Sequence, residues 1–246
     1  MKNLTIINYS IIFVLIVSGC ETDNSLTAIT DVEGNVYKTV TIGNQTWMAE
    51  NLKTTKFNDN TPITMVTGDL AWSNLKTAAY SWYMNDIKYK DIYGAMYSWF
   101  TVGTGKLCPS GWHVASDADF NELELFLGIK PSEVNMWGWR GTNVGTKLKS
   151  STGWTDSGNG TNTSGFNILP GGYRQYTQGD FLGAGTLTYL WSSTDDAANG
   201  NPGLSWYRRL DYNNNAVYKA TTSKKGGKYV RCLQDPPAPQ KVPGSR

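Results

Sequence analysis

Ser116-Asp117-Ala118-Asp119-Phe120-Asn121-Glu122-Leu123-Glu124-Leu125-Phe126-Leu127-Gly128 is the stretch on which the fold class turns. Ser116 can cap the free backbone N–H groups of a helix start, Asp119 stands where a capping box places an acid, and two acids in the first turn complement the dipole. Phe120, Leu123 and Leu127, with the neighbouring Phe126, make an apolar stripe at helical spacing, and Gly128 is placed to end the helix. Both ends of this helix are therefore written in the sequence.

Around it the pattern is that of strands. Upstream, residues 36–42 are β-branched and roughly alternating, Gly43-Asn44 turns the chain, and residues 45–49 return, which predicts an N-terminal hairpin. Residues 53–92 read as loop with a short helix within 70–83, and 93–100 is an apolar run ended by Gly103-Thr104-Gly105. Downstream, glycine recurs from Gly138 to Gly172 without a fixed period, and strands are expected at 165–169, 189–193, 205–210, 216–219 and 228–232. Asn213-Asn214-Asn215 is expected to join two of them as a hairpin turn, since asparagine tolerates positive φ. The class is α+β, a sheet with one or two short helices and long glycine-rich loops.

The 246 residues carry 22 Lys and Arg against 20 Asp and Glu, so the charges nearly balance and are scattered. No nucleic acid partner is expected, because a polyanion needs a clustered basic stripe. The one short run, Lys224-Lys225-Gly226-Gly227-Lys228, reads as a solvated hairpin turn. Ten Trp and fourteen Tyr point to a core built from large rings, each burying ~150–250 Å².

At the N-terminus a basic start and a short apolar run lead to Val17-Ser18-Gly19-Cys20, the pattern of a lipobox. Residues 1–19 are expected to be a lipoprotein signal peptide and Cys20 the lipidated first residue of the mature chain. The alternative, an uncleaved spanning helix, needs ~20 apolar residues, and Asn8-Tyr9-Ser10 interrupt this run. Residues 20–30 read as a polar tether, 31–235 as the domain, and the proline-rich 236–246 as a disordered tail. Assigning Cys20 to lipid leaves Cys108 and Cys232, an even pair in an oxidising compartment, for which a disulfide is expected. Two buried free thiols are the alternative. No metal is expected from cysteine and histidine, since zinc takes three or four ligands and His113 is the single histidine.

Four ordered segments carry a family resemblance: Val40-Thr41-Ile42-Gly43-Asn44-Gln45-Thr46-Trp47-Met48-Ala49-Glu50-Asn51-Leu52, Cys108-Pro109-Ser110-Gly111-Trp112-His113-Val114, Gly165-Phe166-Asn167-Ile168-Leu169-Pro170-Gly171-Gly172-Tyr173-Arg174, and Tyr229-Val230-Arg231-Cys232. Together they resemble the Fibrobacter succinogenes major paralogous domain family over about residues 31–235. Ala115 and Phe120 depart from the residues that family often carries, both as packing substitutions. The resemblance implies a C-type-lectin-like twisted antiparallel sheet and an exported protein, but no defined chemistry. Glu21 and Asp23 after the lipobox resemble the signal that sends lipoproteins of Bacteroidota-like cells to the outer face of the outer membrane.

The residues do not assemble into an enzyme. His113, just before the helix cap, reads as structural, since one imidazole without a partner completes no triad. Among Glu50, Asp180, Asp195, Asp196 and Asp211 no spacing singles out a glycosidase pair. No cofactor is expected beyond a conceivable loop calcium at Asp195 and Asp196 with Asn199 and Asn201, for which a solvated loop is the alternative. Binding has better material, because Trp137, Trp139, Arg140, Tyr173, Arg174 and Tyr176 put rings and guanidinium groups in glycine-rich segments. The expected protein is thus a noncatalytic surface lipoprotein that binds a protein or a glycan, or else an accessory subunit of an outer-membrane complex.

Overall fold

The computed structural model describes residues 28–237. The expected signal peptide, Cys20, and most of the expected tether and tail lie outside the described residues. In chain order the strands are β1 (Ala28–Thr30), β2 (Val36–Ile42), β3 (Gln45–Met48), β4 (Tyr80–Ser81), β5 (Met96–Tyr97) and β6 (Trp112–Val114). They continue with β7 (Gly138–Arg140), β8 (Gly171–Arg174), β9 (Phe181–Ala184), β10 (Leu187–Asp196), β11 (Asn201–Asp211), β12 (Val217–Ser223) and β13 (Cys232–Gln234). The helices are α1 (Asp69–Ser73), α2 (Lys90–Tyr93), α3 (Trp99–Val102), α4 (Asp117–Phe126) and α5 (Val144–Leu148).

A five-stranded sheet of order β1-β2-β3-β13-β6 joins the two ends of the domain. The expected hairpin is its centre, with Gly43 at φ +62° making the turn. β13 returns beside β3 through Leu233 opposite Trp47, and on its other side Cys232 faces Val114 of β6. Cys108 and Cys232 form a disulfide with Cα atoms 5.9 Å apart. β1, inside the expected tether, pairs with β2 as an edge strand.

The larger sheet, of order β7-β12-β11-β10-β8-β9, is a curled and mainly antiparallel ladder in which β8 meets β10 in parallel at Gly172 and Thr188. Helix α4 lies against one face of it. Its capping box forms as read, the Asp119 N–H donating to Ser116 Oγ and the Ser116 N–H to Asp119 Oδ2. Phe120 and Leu123 join Leu190, Leu210 and Val217 in the main core, whereas Phe126 is exposed and leaves the expected stripe. Glu124 takes a core position instead, 1% exposed, because two guanidinium groups meet it there: Arg208 Nε at 2.6 Å and Arg140 Nη2 at 2.9 Å. Arg208 also reaches Asp117, which accepts from Lys219 at 2.7 Å. Helix and sheet are thus joined by a buried charge cluster as well as by apolar contact.

Three local expectations are corrected. Residues 165–169 form no strand, only a bridge of Ile168 to Lys149, because Asn162 and Asn167 take positive φ and close a turn around Phe166. Phe166 and Ile168 are buried all the same, so alternation reported burial without a ladder. The segment Asn213-Asn214-Asn215 does connect β11 to β12, but none of its residues has positive φ. Lys149 Nζ donates to the carbonyls of Asp211 and Asn214, which holds this turn from beneath. Finally, Lys228 is no solvated turn residue: it is 3% exposed, its backbone pairs with Tyr97, and its side chain enters the larger sheet's other face.

Candidate functional site

Along β11 the side chains alternate between two environments. Arg208 and Leu210 face α4, while Tyr207, Arg209 and Asp211 face the opposite way. On that second face neighbouring strands each add a ring, producing a row across the sheet. Trp139 of β7 lies 5.2 Å from Tyr218 of β12, Tyr218 6.2 Å from Tyr207 of β11, Tyr207 5.1 Å from Tyr189 of β10, and Tyr189 4.5 Å from Tyr173 of β8. In the ladder Tyr218 and Tyr189 both lie opposite Arg209, and Tyr207 stands one same-face position along β11 between them. Trp139 is exposed, Tyr218, Tyr189 and Tyr173 are half-buried, and Tyr207 forms the recessed middle. Gly172, at φ +74°, lets β8 approach β9 closely enough to seat Tyr173, since a Cβ there would meet the Leu182 carbonyl oxygen at 2.3 Å.

Two cations serve the row. The Arg209 guanidinium sits 5.6–5.9 Å from the ring centres of Trp139, Tyr189 and Tyr218 and donates through Nε and Nη2 to the Asp211 carboxylate. Lys228 Nζ lies 4.6 Å from Tyr189 and from Trp191, 5.0 Å from Tyr207 and 5.7 Å from Tyr173, and it has no ion pair with a described carboxylate. Desolvation pushes its amine down to about 7 and raises the Tyr189 phenol to about 12.

A family model described as the Fibrobacter succinogenes major domain matches residues 40–234. The chain belongs to that family. No curated protein and no solved structure matches it. Within this Fibrobacter succinogenes major domain, Trp139 and Tyr173 of the expected binding residues fall in the row. Trp137 does not: it packs 4.7 Å from Trp206, which alternates to the other face of β11. Tyr176 is exposed in the turn beyond β8.

The two arginines expected to bind ligand are spent on the domain's own structure. Arg140 is 2% exposed, held by Glu124 and the Val134 carbonyl. Arg174 is fully buried, donating to the carbonyls of Gly179, Val66 and Thr67 and to Asp69, with its guanidinium stacked between Trp72 and Phe181. Sequence reading missed Tyr189, Tyr207, Tyr218, Arg209 and Lys228 as a set. The signal was the period-2 alternation of β11, which separates Tyr207-Arg209-Asp211 from Arg208-Leu210 once the helix-facing side is known.

The remaining candidates are scattered. His113 bridges two carboxylates, Nδ1 to Asp235 at 2.6 Å and Nε2 to Asp119 at 3.2 Å, and these hydrogen bonds, Asp119 foremost, raise its pKa against the cost of burial. Glu50 lines a polar cleft of about 210 Å³ beside Arg231. Asp195 pairs with Lys224, Asp211 with Arg209, and Asp196 accepts from the amide nitrogens of Asn199 and Asn201. In that loop the two asparagines turn donors, not oxygens, toward the carboxylate. Among the described residues no group of three or more His, Cys, Asp or Glu is placed to hold a metal ion.

Lys228 gives the domain an alkaline stability profile. Its folded pKa lies below its unfolded value of 10.5, so between pH 7 and 10 the unfolded chain carries a proton that the folded chain lacks, and stability rises with pH. One such group supplies up to about 1.4 kcal/mol per pH unit, opposed by its ring contacts, so urea unfolding should show a gain of about 2 kcal/mol from pH 7 to 9. Lys228→Met should flatten that gain. Above pH 10 the trend reverses, because the buried Tyr97 and Tyr229 phenols stay protonated in the fold while their unfolded counterparts ionise. An equal slope in Lys228→Met would assign the rise to other groups.

Proposed function

We propose that this chain is a noncatalytic glycan-binding lipoprotein, anchored through Cys20 in the outer membrane and facing the exterior. The observation that carries the reading is the row of five rings from Trp139 to Tyr173, partly open to solvent and spaced by the sheet. Aromatic faces stack on the apolar faces of sugar rings, and a rigid sheet holds them in place without an ordering cost at binding. The noncatalytic part of the reading is supported by the engagement of Asp195, Asp196, Asp211 and His113 in internal contacts. A C-type-lectin-like architecture belongs to the same proposal, supported by a last strand that returns beside the first hairpin and a disulfide that clasps it.

On a glycan array, wild-type protein should mark a defined set of structures, and Trp139→Ala with Tyr218→Ala should weaken that signal at least about 10-fold, each lost stacking contact removing ~1 kcal/mol. An array blank for wild type would sink the glycan reading. A second reading, the accessory subunit, is favoured by the exposed Met136 and Trp137, of which Trp137 packs against Trp206 on the sheet's other face. Mild detergent extraction would then recover a stoichiometric membrane partner that Trp137→Ala loses, and in either reading Cys20→Ser should leave the envelope fraction.

A further inference from the structure

We infer that the ring row takes a single soluble, uncharged glycan chain lying across the strands, and that Arg209 with Asp211 reads a neighbouring pair of its hydroxyl groups. This rests on the glycan reading above and deepens it.

Ring orientation comes first. Binding the flat face of an insoluble, crystalline polysaccharide requires coplanar rings, so that all of them touch one plane together. Here adjacent rings are inclined by 70°, 32°, 40° and 50° from Trp139 through Tyr218, Tyr207 and Tyr189 to Tyr173. The twist of the sheet, about 20–25° per strand, contributes to that rotation and is built into the ladder. A plane touches at most one or two such rings, whereas a free chain can turn from sugar to sugar and follow them. Depth agrees, because Tyr207 in the middle is 8% exposed against 39% for Trp139 at the end, which makes a trough and not a platform.

Polar chemistry comes second. Arg209 spends Nε and Nη2 on Asp211, and its Nη1 makes no hydrogen bond among the described residues. Among the described residues the Asp211 carboxylate accepts from Arg209 alone and keeps further lone pairs. A free donor and free acceptor sites thus stand together among the rings, a match for adjacent hydroxyls that each donate and accept. Because the two charges cancel, the pair offers no net attraction for an acidic sugar. Lys228 could supply one, but four rings cover it and it is 3% exposed.

The test is affinity electrophoresis of purified protein in gels containing soluble neutral polysaccharides (hydroxyethylcellulose, laminarin, galactomannan, soluble starch), beside gels with alginate, and sedimentation with microcrystalline cellulose and chitin. Retardation by at least one neutral soluble polymer, with none by alginate and no sedimentation, is the expected result. Arg209→Lys keeps the charge but loses the fork, and should lower the retardation constant about 10-fold. Trp139→Ala, at the exposed end of the row where the fold is disturbed least, should also lower the retardation constant. Sedimentation with particles but no retardation would overturn the inference while leaving the glycan reading intact. Preference for alginate would overturn the uncharged class, unchanged retardation of a folded Arg209→Lys would overturn the hydroxyl-reading role, and no binding in any arm would overturn both proposals.

Discussion

Glu124→Ala should destabilise the domain by about 3–5 kcal/mol, since removing one partner of a buried ion pair strands the others. The carboxylate is 1% exposed and touches two guanidinium groups that are themselves 1–2% exposed. Arg208 would keep Asp117, at 2.7 Å. Among the described residues Arg140 would keep the Val134 carbonyl alone, a neutral acceptor for a desolvated cation. Burial already pushes the Arg140 pKa down, with Glu124 the largest opposing influence, so the missing carboxylate is felt there most. Urea unfolding of wild type and variant measures the loss. Replacing all three groups together, Glu124→Leu with Arg140→Met and Arg208→Met, should cost less than the single change, because no buried charge of the trio is then left without its partner. Should the triple variant be the less stable, the cluster itself would be a net source of stability.

Cys108→Ala with Cys232→Ala is the second large effect. The disulfide spans 124 residues of sequence, and the chain-entropy model gives about 4–5 kcal/mol for a closed loop of that length. Both cysteines are buried in the second core, where Cys232 sits opposite Val114 on β6. Alanine fits that space and isolates the covalent link. The melting temperature should fall by roughly 10 °C, at 2–4 °C per kcal/mol for a domain of this size. Burial also predicts that native protein resists dithiothreitol until it unfolds. A native protein whose two sulfurs alkylate freely would contradict the pairing.

The parts of this fold legible in the sequence are those whose signal is local. Helix α4 carries its own cap and stop, and the β2–β3 hairpin carries its own turn, so each was read nearly to its boundaries. The missing strand at 165–169 fails on a local turn, that of Asn162 and Asn167, but the misread cations and rings need a partner distant in sequence. Arg140 and Arg174 sit in glycine- and ring-rich segments that look like binding loops, and only the arrival of Glu124, Val66 and Thr67 turns them inward. The two glycines beside Lys228 suggest an open turn, but Tyr97 pairs with its backbone and Tyr189, Trp191 and Tyr207 close over its amine. The ring row is half visible for the same reason. Trp139 and Tyr173 stood out beside glycines, while Tyr189, Tyr207 and Tyr218 were hidden inside strands whose neighbours no local pattern names.

The sharing of one sheet by the first hairpin and the last strand has a mechanical consequence. Tension entering at the N-terminal end reaches the body through β1 and β2, passes to β3, and is handed to β13, where the Cys108–Cys232 link stops further peeling. The six-stranded sheet that carries the rings is a separate ladder, outside that path. On the proposed anchor and glycan site, a tug would strain the foot while the ring row kept its shape.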